Sequence, residues 1–244
     1  MTGLQAVTTT LVRGARPFKK FSGSGLTARL ALDDETKADA YGLRHRSYLS
    51  GGYIDPQPGG LFSDADDLQP NNCSLVIYRH RRPVASVRLC TLVLGAGAHQ
   101  GDIPASRIFP QAVAKLTTPR QDGRGIRLTE INRLVRHPDF AANHELVFLL
   151  FRFVSFLVIE TGSDMMLNCV RRNHTSFYKR LHFSYVDGPR RYAGVKFETN
   201  LMSCPRERYA QLMADIPFVA TDDNSQRAYA GLMHGETVTV FAEI

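Results

Sequence analysis

Apolar and polar residues alternate through 27–32, which predicts a first strand. Asp33 or Asp34 is then placed to cap a helix over 35–48 that Gly51-Gly52 stops. A stretch rich in Pro, Gly and Asp fills 53–72, a loop too long to be a mere connector. Two segments rich in β-branched residues, 73–78 and 84–93, read as a hairpin through the basic turn Arg79-His-Arg-Arg-Pro83, and Gly95-Ala-Gly97 ends the second. A short helix is expected at 109–116, a loop at 117–125 and a strand at 126–136. Segment 143–160 is apolar on nearly every side and stops at Gly162, as a helix buried against a sheet would. Beyond it the pattern predicts a strand at 164–170, a helix at 173–181, a strand at 192–201, helices at 205–214 and 225–233, and an edge strand at 236–243. No repeat or low-complexity block divides the chain, so one domain is expected over 26–244. Helices between strands imply an α/β (α+β) fold, a mixed central sheet with a parallel central pair.

The strand at 126–136 carries ionic groups that a buried strand does not need. Regular alternation puts Ile126, Leu128, Glu130, Asn132 and Leu134 on one face and Ile131, Arg133 and Val135 on the other. Glu130 therefore points among apolar residues, where a carboxylate must be paired, hydrogen-bonded or shifted in pKa. That environment suits a general base and equally a structural ion pair, and spacing does not choose between them. The same alternation separates Glu130 from Arg133, so a site shared by both requires a β-bulge between them.

Composition narrows the partners. The chain has 244 residues, 43% hydrophobic, enough for a sizeable core, and a net charge of +7 that favours something acidic: nucleic acid, an anionic membrane touched peripherally, a phosphorylated cofactor or an acidic protein. The basic clusters come without a zinc-finger, RNA-recognition or basic-zipper pattern, so nucleic acid is not the expected partner. Cys73, Cys90, Cys169 and Cys204 are scattered through apolar contexts and read as reduced thiols of a reducing, cytoplasmic compartment. The histidines lack metal-ligand spacing, and no metal is expected. Residues 1–25 have no acidic residue, carry Arg13, Arg16, Lys19 and Lys20, and lack an apolar core of signal-peptide length; they read as a flexible basic extension. The run Leu146 to Ile159 is too short to span a bilayer and contains Arg152.

The order of elements is similar to the GNAT acyltransferase fold, and Tyr178-Lys-Arg-Leu-His-Phe183 resembles the Tyr-x-x-Leu-Gly-Phe ending of a GNAT helix, with His182 in place of Gly. Further marks, in order along the chain, are Arg44-His-Arg-Ser-Tyr48, Asp64-Ala-Asp-Asp67, Ser86-Val-Arg-Leu89, Phe109-Pro110 and Glu130-Ile-Asn-Arg133. Together these resemble the acyl-homoserine-lactone (autoinducer) synthases, which are GNAT-like. The chain has no Trp, where those enzymes carry one, and Asn132 stands where they have Ser; the N-acyl amino acid synthases, with the same layout, are the closer likeness. A further departure bears on the donor. GNAT enzymes that use acetyl-CoA hold its pyrophosphate in a Gly-rich turn, but Arg136-His-Pro-Asp-Phe-Ala-Ala-Asn143 has no glycine. The likeness then implies no bound cofactor and a donor on the phosphopantetheine arm of an acidic acyl carrier protein, with acyl-CoA as the other source.

For function, the resemblance implies an N-acyltransferase moving a long-chain fatty acyl group from acyl carrier protein to the α-amine of an amino acid or other small amine, without a covalent enzyme intermediate. Glu130 would accept the amine's proton and Tyr178 would protonate the leaving thiolate. Arg44, Tyr48, Asp64, Asp67, Arg88, Phe109 and Arg133 would form the substrate-binding set. Arg88 and Arg133 would neutralise carboxylates, whether of the substrate or of Glu130, Asp64 and Asp67. An ion-pair network that pins the 53–72 loop over the sheet is an equally good account of the two aspartates. The apolar residues of 146–159 would line an acyl pocket or, by default, pack the core. Two alternatives stay open: autoinducer synthesis from S-adenosylmethionine, and a non-catalytic GNAT-like module that binds an acyl carrier or lipid.

Overall fold

The computed structural model describes residues 25–95, 98–117, 125–192 and 194–240. The basic extension expected at 1–25, apart from Gly25, most of the expected 117–125 loop, and the end of the strand expected at 236–243 lie outside them.

Strand β1 (Leu26–Leu30) buries every second residue and leads to helix α1 (Asp34–Ser50). Asp33 is the N-cap, its carboxylate accepting from Thr36 N at 2.8 Å, and Gly51 is the C-cap. Strands β2 (Asn72–Arg79) and β3 (Arg82–Gly95) form the expected hairpin, turning through His80 and Arg81 at φ 49° and 67°. A short β4 (Ala98–Gln100) folds back on β3. Helices α2 (Pro104–Ile108) and α3 (Pro110–Leu116) follow, each opening with a proline at its first position, where the missing N–H costs nothing. Next come β5 (Ile126–Arg136), α4 (Glu145–Glu160), β6 (Met165–Arg171) and α5 (Thr175–Arg180). The chain continues through β7 (Ser184–Arg191), β8 (Glu198–Pro205), α6 (Tyr209–Asp215), α7 (Asp223–Ala230) and β9 (Val238–Thr239).

The nine described strands form one mixed sheet in the order β7-β8-β6-β5-β3-β2-β1-β9, with β4 beside β3. Among the described residues β5 and β6 are its one parallel pair, joined across one face by α4. That helix is buried on nearly all sides, with Leu149, Leu150, Phe153 and Val154 fully enclosed. Phe153 and Phe156 stack on Tyr229 of α7 at 4.5 and 5.7 Å. Each such side chain contributes roughly 1.5–3 kcal/mol on burial, so packing holds α4 in place. The opposite face carries a second apolar cluster, formed by α2 and α3 over Cys90, Leu92, Leu128, Leu167 and Leu201. Arg88 alternates with Cys90 along β3, which puts α1, whose Arg44 reaches the same carboxylate as Arg88, on that second face too.

Three expectations are corrected. The strand expected at 192–201 begins only at Glu198, as β8, and runs on to Pro205, while β7 before it is a strand that the pattern does not predict. Strand β7 is an exposed edge in which Gly188 and Pro189 interrupt the alternation, and an edge tolerates both residues. The single helix expected at 109–116 is preceded by α2, and the helix expected at 225–233 ends at Ala230 and continues as a 3-10 turn through His234. No helix among the described residues is long and apolar enough to cross a membrane.

Candidate active site

Opposite β3, strand β5 is bulged. Arg88 pairs with Asn132 and Ser86 with Val135, so Arg133 and Leu134 together face the single residue Val87. Arg133 takes φ 51°, the left-handed region an L-residue enters only under constraint. This is the bulge that a site shared by Glu130 and Arg133 requires, because it turns Arg133 out of strict alternation and into the ionic network on the Glu130 side. On its other edge β5 bonds β6 from Leu128 to Ile131, opposite Met165 to Asn168, and then the two strands separate.

The network is built on a local turn. In the loop after α1, Asp64 accepts from Asp66 N and Asp67 N, and Asp67 accepts from Asp64 N at 2.9 Å, a reciprocal capping box around a 3-10 turn over Ala65–Leu68. Their remaining capacity goes to arginines. Asp64 accepts from Arg88 Nη1 at 2.5 Å and from Arg133 Nη2 at 2.6 Å, while Asp67 accepts from Arg44 Nη1 at 2.7 Å and lies 2.9 Å from Arg88 Nη1. Arg44 also donates to Ser74 Oγ at 2.6 Å. Arg44 and Arg88 are at most 1% exposed, so neither could keep its charge without these partners. The Asp-x-x-Asp spacing thus has a structural cause: it caps its own turn and fastens the loop to β3, β5 and α1.

Arg88 Nε donates to Asn132 Oδ1 at 2.8 Å, and Asn132 Nδ2 donates to Glu130 Oε1 at 3.2 Å, which ties Glu130 to the same network. Glu130 has no exposed surface and accepts two more bonds, from Ala105 N of α2 at 2.7 Å and from Tyr192 Oη at 2.5 Å. Burial pushes its carboxyl above the ordinary range, against the pull of those three donors and of Arg88's charge. Nothing in the sequence marks Tyr192: it lies 62 positions from Glu130, just beyond the end of β7 and outside any strand.

Where β5 and β6 part there is a cavity of about 130 Å3, lined among others by Tyr48, Asn132, Arg133, Cys169, Arg171 and Tyr178. Tyr178, in α5, is 7% exposed, and its ring packs on Phe151 and Phe183 at 5.8 and 5.6 Å; burial pushes its hydroxyl upward, so it stays protonated. Cys169 is likewise pushed well up by burial, which leaves a protonated thiol and a poor nucleophile. Two of the lining residues, Tyr48 and Phe197, pack with Tyr192 against a small apolar cluster of Ile54, Phe62 and Val195. Arg133 lies over Tyr48, Phe62 and Tyr192 at 5.9, 5.1 and 5.9 Å. Phe109 is elsewhere, fully buried between α2 and α3, with the Arg190 guanidinium 5.2 Å from its ring. Residues 146–159 pack the core and do not line the cavity.

A bulged strand, a diverging parallel neighbour and a buried carboxylate thus meet at one cavity. The profile for the N-acyl amino acid synthase FeeM matches residues 39–205, more than half of the chain. The chain belongs to the FeeM family of N-acyl amino acid synthases. As a member it is an acyltransferase, and its fold is that of GNAT-like enzymes. The structure of FeeM from uncultured soil microbes is similar at a TM-score of 0.61 and 16% identity, over 77% of this chain and 94% of that one. The CoA-dependent acyl-homoserine lactone synthase BjaI is similar at 0.54 and 16% identity, over 76% of this chain and 84% of that one. The acyl-homoserine lactone synthase LasI is similar at 0.53 and 9% identity, over 81% and 97%. No curated protein sequence matches the chain. At these identities the structural likeness speaks for the fold; the family rests on the profile.

Proposed function

We propose that this family member transfers a long-chain fatty acyl group from the thioester of an acyl carrier protein to the α-amine of an amino acid, giving an N-acyl amino acid. The observation that carries the reading is the cleft at the β5 bulge, where a buried glutamate is hydrogen-bonded to Asn132 on the wall of a cavity that also has a protonated tyrosine on its wall. The amine nitrogen attacks the thioester carbonyl, the C–N bond forms, and collapse of the tetrahedral intermediate breaks the C–S bond. The proton lost by nitrogen equals the one gained by sulfur.

Glu130 accepts the amine's proton, and its enclosure dictates the route. With its oxygens held by Ala105, Asn132 and Tyr192, it receives that proton through the Tyr192 hydroxyl, which passes its own proton on and takes the incoming one. Tyr178 donates to the departing sulfur. A buried phenol is a weak acid, but a thiolate expelled beside it, away from bulk water, is raised in basicity as well. The two residues then reset by exchange with solvent. Residues 133 and 134 face a single β3 residue and line the cavity, so a backbone N–H freed at the bulge is the oxyanion donor. Arg44, Arg88, Asp64 and Asp67 act as positioning residues that hold Asn132 and Arg133.

The carrier-borne donor is favoured by the start of α4. Its first turn contains Glu145, whose N–H is given to Asn143 Oδ1 at 3.0 Å, so this helix end offers a pyrophosphate a negative charge and one fewer donor. A phosphopantetheine arm needs no such cradle, and a net charge of +7 suits an acidic carrier. The test is mass spectrometry of reactions with long-chain acyl carrier protein or acyl-CoA and the twenty amino acids. N-acyl amino acids formed faster from the carrier support the reading. Consumption of S-adenosylmethionine with lactone formation, or carrier binding with no product, would replace it.

A further inference from the structure

Resting on that reading of the acceptor, the charge distribution of the site singles out one arginine with no acid of its own. Arg44, Arg88 and Arg133 are committed to Asp64 and Asp67, so none of them has its charge free for an incoming carboxylate. Arg171, the last residue of β6, lines the same cavity and forms no ion pair among the described residues. Its contacts are neutral. Nη1 donates to Tyr53 Oη, Nη2 donates to His174 Nε2 at 2.8 Å, and the guanidinium lies over the rings of Tyr53 and Phe197 at 4.5 and 5.8 Å. Burial first, then the charges of Arg171 and Arg136, push His174 down to about 4, so near neutral pH it carries no charge. A guanidinium has five N–H donors in a planar fork; two are used here, and the rest remain for a bidentate partner.

The position is as telling as the charge. Along β6, Leu167 and Cys169 point to the α2 side, where Glu130 and Tyr192 lie, and Arg171 continues that alternation. Its guanidinium therefore sits on the Glu130–Tyr192 face of the sheet, against Tyr53 and Phe197, whose rings pack with Tyr48 on the wall of the same cavity. We propose that Arg171 is the clamp for the α-carboxylate of the acceptor, and that this cation, held by Tyr53 and His174, restricts the enzyme to amines bearing an adjacent carboxylate.

The experiment compares amines that differ only in that group: leucine with isoamylamine, phenylalanine with phenethylamine, and tyrosine with tyramine, each with the same acyl donor. The wild-type enzyme should prefer the amino acid in kcat/KM by on the order of 10²-fold, as expected for a desolvated charge pair. In Arg171→Met the ratio should fall to within roughly threefold of unity, chiefly through the KM of the amino acid. Arg171→Lys should restore part of the preference, since it keeps the charge and loses the fork. A wild type without the preference, or an Arg171→Met variant that keeps it, overturns the clamp while leaving N-acyl transfer intact. If the wild type forms no N-acyl amino acid with carrier or CoA donors, the functional reading fails and the clamp with it.

Discussion

Asp64→Asn is a clean perturbation of the network that shapes the site. Asparagine keeps the N-cap of the 3-10 turn, since its side-chain oxygen still accepts from Asp66 N and Asp67 N. What it removes is the negative charge that accepts from Arg88 at 2.5 Å and Arg133 at 2.6 Å. Bonds to charged groups contribute about 1.5–3 kcal/mol each; Asp64 keeps a quarter of its side chain exposed, so the low end applies and the loss is about 3 kcal/mol. For a chain of this size that corresponds to a fall of about 6–12 °C in Tm. Burial alone would raise the Asp64 carboxyl, but the bonds and charges of Arg88 and Arg133 outweigh it and hold the group well below the usual carboxylate range. A carboxyl lowered on folding contributes stability that is present above its unfolded pKa, near 3.9, and is lost as pH falls through the folded value. The gap between wild type and variant should therefore be full at pH 7 and narrow below about pH 4. Thermal melts followed by circular dichroism at both pH values decide it. A Tm within 2 °C of wild type at pH 7 would refute the network as a source of stability.

Other substitutions probe the bulge and the proton path. Arg133→Val should cost about 1–3 kcal/mol more in urea unfolding than Arg133→Asn, because both lose the ion pair but only valine resists φ 51°. Tyr178→Phe should lower kcat by on the order of 10² while leaving the acceptor KM in place, measured with a saturating thioester donor. The acidic limb of the kcat/KM profile should turn at a pH above the ordinary glutamate value of 4.5, since burial raises Glu130 and only its ionised form accepts a proton; a limb at or below that value would remove Glu130 from the base role.

How far the sequence alone could go depended on whether an element declares itself locally. The run 145–160 and the 72–95 hairpin do so, through apolar character on nearly every side in one and β-branched pairing around a two-residue turn in the other. Strand β7 does not, because an exposed edge has no apolar face to set a period and is interrupted by Gly188 and Pro189. At the site, Glu130, Arg88 and the two aspartates could be picked out as ionic groups in apolar or loop settings, and the need for a bulge followed from their spacing. Tyr192 and Arg171 could not. One is a tyrosine just past the end of β7, which only the tertiary fold brings to Glu130; the other is half of an arginine pair that reads as ordinary surface charge until the end of β6 places it on the cavity wall. Phe109 is the opposite case: it stands in a recognisable motif, and its ring fills the space between α2 and α3.

The central claim is that acyl transfer at the β5 bulge runs on Glu130, and the single-turnover rate of Glu130→Gln tests it most directly. With saturating acyl carrier thioester and amino acid, the account predicts a rate lower than wild type by on the order of 10²–10⁴ in a variant that melts as a folded protein. A single-turnover rate within about threefold of wild type would contradict it.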